Sequence, residues 1–127
     1  LSQPWAVIGG HVVSGLVGVT CALLLPGPVV AAGCAVGLAI AAMRVLRCVH
    51  PPGGATALTA VIAGAPVHDL GYSFVIRPVL LNAVVMVAVG VAVGAPFPWR
   101  RYPAAWRRLP VPDPTPTAPG PGPGGPA

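Results

Sequence analysis

His50-Pro51-Pro52-Gly53-Gly54-Ala55-Thr56-Ala57-Leu58-Thr59 lies between two apolar stretches, and its reading decides the fold. The two prolines carry no backbone N–H, and the two glycines loosen the chain beside them. Such a run breaks a helix. In hydrocarbon, each backbone N–H or C=O left unpaired costs several kcal/mol. The freed groups need partners: protein neighbours, trapped water, or a polar solute or ion.

The flanking sequence belongs to a chain embedded in a membrane. Of the 127 residues, 55% are hydrophobic and 7% charged, with a mean hydropathy of +0.82. A soluble domain carries about 25% charged residues, so this chain cannot build a polar surface. No Lys, Arg, Asp or Glu occurs in 1–43, 48–68 or 78–99. Uncharged apolar runs of about 18 residues or more read as membrane spans.

Four spans are expected, at about 5–25, 29–46, 50–67 and 74–95, within a transmembrane domain over 1–97. The predicted fold is all-α: a polytopic transmembrane helical bundle with a helix broken at His-Pro-Pro-Gly-Gly. Pro26-Gly27-Pro28 is a tight turn, so the first two spans form an antiparallel hairpin. Gly10, Ser14 and Gly18 share one helical face, as do Gly33 and Gly37. Small residues spaced by four let helices approach closely in lipid, and a homo-oligomer is expected. The Ala55–Val67 stretch is short, so a full crossing needs a partly unwound start; a re-entrant helix is the competing reading. Over 98–109, Trp99, Tyr102 and Trp106 interleave with four arginines as an interfacial segment. Residues 110–127 hold eight of the 18 prolines and read as a disordered Pro/Gly-rich tail. The chain starts at Leu1 with no basic leader, and reads as a fragment.

The formal charge of +5 is informative through its placement. Arg44 and Arg47 end the second span, and Arg100, Arg101, Arg107 and Arg108 follow the last. Arginines flanking spans in this way follow the positive-inside rule. The pattern predicts a multi-pass protein of the plasma (inner) membrane with a cytoplasmic C-terminus, and it favours a full third crossing. It does not describe a nucleic-acid surface; the partners expected are membrane lipid and a small anion. Cys21, Cys34 and Cys48 are isolated and read as packing residues. The three histidines lack metal-ligand spacing. No paired carboxylates, catalytic triad order or phosphate loop is present, so neither an enzyme, a catalytic residue nor a cofactor is expected.

Chemistry concentrates at the break. A helix start within a membrane carries partial positive charge and free N–H groups, and discontinuous membrane helices hold anions there. Gly53 and Gly54 open the backbone, Thr56 and Thr59 add hydroxyls, and His50 changes charge near neutral pH. Together they favour a small anion or a weakly polar solute. The structural alternative is a plain helix start with His50 capping carbonyls. His11, an ionisable group inside a span, and Asn82 in the last span either line the same path or bond between helices.

The same segment resembles a known family. HPPGGATAL is similar to the signature of the HPP family of small integral membrane proteins. Gln3-Pro4 followed by Gly9-Gly10-His11 resembles a second hallmark. The run Gly71-Tyr72-Ser73-Phe74, leading to Pro78-Val79 and Asn82, resembles a third. The resemblance covers about 1–96, with Trp5-Ala6 standing where the family has a polar pair. It implies roles for Gln3, His11, His50, Pro51, Pro52, Gly53, Gly54, Thr56 and Asn82, with Gln3, Pro51 and Pro52 structural. It also implies transport of a small inorganic anion such as nitrite, as in plant and cyanobacterial relatives. The alternative is a non-transporting membrane scaffold or regulatory protein.

Overall fold

The computed structural model describes residues 3–96. The interfacial segment expected at 98–109 and the tail expected at 110–127 lie outside the described residues. The described residues are helical throughout, apart from turns: α1 (Pro4–Leu24), α2 (Pro28–Val45), α3 (Pro51–Ile62), the single turn α4 (Ala65–His68), and a π-helical segment (Val75–Leu80) that runs into α5 (Leu81–Gly94). Proline sits in the first turn of α1, α2 and α3, where its missing N–H has no intrahelical partner to lose. Gly27, at φ +81°, makes the turn between α1 and α2.

Among the described residues, three helices are long and apolar enough to cross a bilayer: Pro4–Leu24, Pro28–Val45 and Val75–Gly94. Their outer faces carry Leu24, Val29, Val45, Ile76, Leu81 and Val89, all more than half exposed. So much open aliphatic surface suits lipid, not water.

The His-Pro-Pro-Gly-Gly run starts a helix rather than interrupting one. α2 closes with Cys48 N–H bonded to Met43 O at 2.9 Å and Arg47 N–H to Arg44 O at 3.2 Å. This is a Schellman closure. Its left-handed position is held by Arg47 at φ +53°, where glycine is usual. Residues 46–50 are then non-helical, and α3 begins at Pro51, four residues before the expected Ala55. It ends at Ile62, short of Val67, because Gly64 at φ +77° turns the chain.

α1 is the central helix. α2 lies antiparallel to it, joining Ser14 to Met43 near one end and Cys21 to Ala31 near the other. α3 runs parallel to α1: Gly10 meets His50, and Gly18 meets Ala57 and Ala60. The last helix returns antiparallel, with Tyr72 at Thr20 and Val79 at Gly15. α3 alone spans about 18 Å, against about 30 Å of hydrocarbon. Trp5 Nε1 reaches Leu46 O at 3.4 Å, level with the start of α1, while His50 already packs on Gly10.

The ridge of Gly10, Ser14 and Gly18 is buried inside the chain. A Cβ on Gly18 would stand 2.6 Å from Ala57 O, and one on Gly10 would stand 2.6 Å from His50 Cβ. The absence of those atoms allows α1 and α3 to touch backbone to backbone. Gly33 and Gly37 have open space around them.

Candidate functional site

α3 and the last helix both pack on α1, and Ala60 of α3 shares one apolar cluster with Phe74, Val75 and Val79. Between them lies an open cleft of about 550 Å³. His11 of α1 contributes to its lining, with Pro52, Ala55, Thr56 and Thr59 on one wall. The other wall carries Phe74, Pro78, Val79 and Asn82. No Asp, Glu, Lys or Arg belongs to that lining.

His11 is 7% exposed. Its Nδ1 lies 2.7 Å from Thr56 Oγ1. The Thr56 hydroxyl has an acceptor of its own, Pro52 O, at 3.5 Å. With that proton directed at Pro52, the hydroxyl oxygen accepts from Nδ1–H. His11 Nε2 is then a bare acceptor, buried and without a hydrogen-bond partner among the described residues. The His50 ring meets His11 edge-on, with centroids 5.0 Å apart.

The predicted residues therefore divide into two groups. His11, Thr56, Thr59 and Asn82 meet at the cleft. His50, Gly53 and Gly54 lie outside its lining. His50 is buried beside His11 and makes no side-chain cap on α3. Gly53 faces α1, where a Cβ would come within 2.7 Å of Ser14 Oγ and 2.9 Å of Gly10 O. It serves helix contact. Gln3 is the N-cap position of α1, and its carbonyl accepts from Val7 N–H at 3.0 Å. Pro51 and Pro52 form the first turn of α3.

The start of α3 offers few amide donors. Its first two residues are prolines, and Gly53 N–H is bonded to His50 O at 2.8 Å. Polar contact with a solute must come from side chains. Thr59 donates to Ala55 O at 2.8 Å, a bond that rotation of its hydroxyl can exchange. Asn82 Nδ2 has only Met86 Sδ at 3.8 Å, a weak acceptor.

Sequence reasoning did not single out Phe74, Pro78 and Val79 as lining residues. Pro78 has no N–H to give to the preceding turn, and the helix widens to π geometry around it. A proline inside an apolar span was the available signal. At the opposite end His68 shares Ala22 with two smaller hollows, about 90 and 180 Å³. Its Nε2 donates to Val61 O at 2.8 Å and closes the end of α3. Among the described residues, no group of three or more His, Cys, Asp or Glu side chains gathers as metal ligands would.

Two curated proteins of Dictyostelium discoideum, each named only as a transmembrane protein, are similar to this chain. One is 34% identical over 110 residues, covering 84% of this chain and 35% of its own length. The other is 36% identical over 110 residues, covering 84% and 38%. The chain thus spans little more than a third of these relatives. No solved structure matches it. Residues 1–103 match the HPP transmembrane region, and this chain is a membrane protein of that family.

Proposed function

We propose that the chain carries a small inorganic anion, such as nitrite, across the membrane through the cleft between α3 and the last helix. The observation behind this reading is a cleft of about 550 Å³ with four polar side chains and no carboxylate, set between the short α3 and two helices of membrane-spanning length. Polar groups at such depth are expensive unless used. Asn82 and the hydroxyls of Thr56 and Thr59 are hydrogen-bond donors that fit an oxyanion. The role is that of a carrier and not an enzyme. Arg44 and Arg47 at the end of α2 support a cytoplasmic C-terminus under the positive-inside rule, in a protein read as one of the plasma membrane. Closure of the open side of the cleft by a second copy accounts for the expected homo-oligomer.

A non-transporting scaffold is the second reading. It is favoured by the bond between His11 and Thr56, which satisfies two polar groups internally. Against it stand the bare His11 Nε2 and the open cleft.

Uptake into proteoliposomes of nitrite, nitrate, formate and chloride separates the two. The transport reading expects saturable nitrite uptake above protein-free vesicles, reduced in Asn82→Leu. Folded, inserted protein that moves none of the four anions would establish the scaffold reading instead.

A further inference from the structure

We infer that His11 carries a proton with the anion, so that the cleft moves the two together. This rests on the anion-transport reading and specifies the coupling of the same site.

A bare anion at hydrocarbon depth is strongly disfavoured unless a cation accompanies it. The cleft supplies no fixed cation, and His11 is the one titratable side chain in its lining. The groups around His11 are also uncharged or outside the cleft. From α3 come Thr56 and, at its N-cap, His50. From the last helix comes Asn82. Arg77, on that helix, is exposed and outside the lining. From α2, Met43 packs beside Gly10 through its thioether. Within the lining, the charge of an entering anion is balanced only by a proton on His11.

With the Thr56 hydroxyl donating to Pro52 O, Nδ1–H is engaged by Thr56 Oγ1 and a further proton goes to the unpartnered Nε2. Most buried polar atoms have partners, and an acceptor left without one needs a reason. Protonation leaves the Thr56 bond intact and turns Nε2 from acceptor into donor. Neutral His11 presents nothing at Nε2 to attract an anion; protonated His11 does. The sequence of events balances without any further reactant. A proton from the loading side binds Nε2, the anion pairs with the imidazolium, and both leave on the other side.

The test uses the protein in proteoliposomes that contain a pH-sensitive dye, with an inward nitrite gradient and no initial pH difference. Protein-free vesicles set the background from undissociated acid. Wild type is expected to acidify the lumen in step with nitrite entry, and a clamped membrane potential leaves the rate unchanged. His11→Gln keeps a donor for Thr56 but cannot carry a proton. It is expected to lose the acidification, with any residual nitrite entry becoming potential-dependent. Nitrite entry by wild type without acidification overturns the coupling and leaves the transport reading standing. Acidification by His11→Gln equal to wild type overturns the assignment to His11. No nitrite entry by wild type overturns both. The wild-type proton-to-nitrite ratio decides the coupling even where the variant fails to fold.

Discussion

His11 Nδ1 and Thr56 Oγ1 stand 2.7 Å apart, joining the middle of α1 to the first turns of α3 across 45 positions of sequence. The bond fixes the ring, directs its second nitrogen and ties the two helices that frame one wall of the cleft. Removing the hydroxyl leaves a buried ring nitrogen without its partner, which costs about 1–3 kcal/mol. Thr56→Val is expected to lose stability on that scale, and Thr56→Ser to lose much less. Denaturation in detergent measures both. Equal stability of Thr56→Val and wild type would remove the bond from the argument.

The contact between α1 and α3 depends on missing side chains. Gly18→Ala places a methyl 2.6 Å from Ala57 O and 2.8 Å from Ala57 Cα, and backbone cannot step aside as a flexible side chain can. Overpacking of this kind costs about 1–3 kcal/mol. Gly33→Ala, in open space, is expected to be neutral or to gain about 0.5–1 kcal/mol through helix propensity. Melting temperatures of the two variants compare them directly. A destabilised Gly33→Ala would mean that this face is covered by another helix.

These two glycines also mark how far the sequence could be read. The spacing of Gly10, Ser14 and Gly18 announced a close helix contact, because period and residue size are local properties. The partner was not local: α3 covers the ridge, while Gly33 and Gly37 face open space. The helix starts were legible from Pro4, Pro28 and Pro51, since proline favours the first turn. The reading of His50, Gly53 and Gly54 as a solute contact depended on which face of α3 turns outward. The His-Pro-Pro-Gly-Gly motif fixes where α3 begins but not its rotation. That rotation buries Gly53 on Ser14 and leaves Thr56 and Thr59 at the cleft. The meeting of His11 with Thr56, and of both with Asn82, is tertiary and has no signature in spacing.

Pro78 offers a test of the last helix. Its ring removes one N–H and is accommodated by the π-helical segment Val75–Leu80. Pro78→Ala restores the donor and favours an ordinary α-helix, worth up to about 3 kcal/mol in a helix interior. Each residue drawn out of the wide turn rotates Asn82 by about 100° relative to α1. The expected outcome is a protein as stable as wild type or more so, with reduced nitrite uptake. Undiminished uptake would show that the widened turn does not set the position of Asn82.

The path of the chain through the bilayer follows from how α1 pairs with its neighbours. Trp5 reaches Leu46 at one end, and Thr20 bonds Tyr72 at 3.0 Å at the other. The loop before α3 and α3 together run from the Trp5 end of α1 to its Thr20 end, so a crossing α3 puts Asp69 on the face opposite Arg47. The last helix then returns to the Arg47 side. A re-entrant α3 would instead leave Asp69 and Arg47 on the same face. In a background with Cys21, Cys34 and Cys48 replaced by Ala, Arg47→Cys and Asp69→Cys are tested with a membrane-impermeant maleimide on intact and opened vesicles. The crossing expects opposite protection patterns for the two positions. Matching patterns would make α3 re-entrant and would close the cleft to one side of the membrane, which no carrier using it as a path could survive.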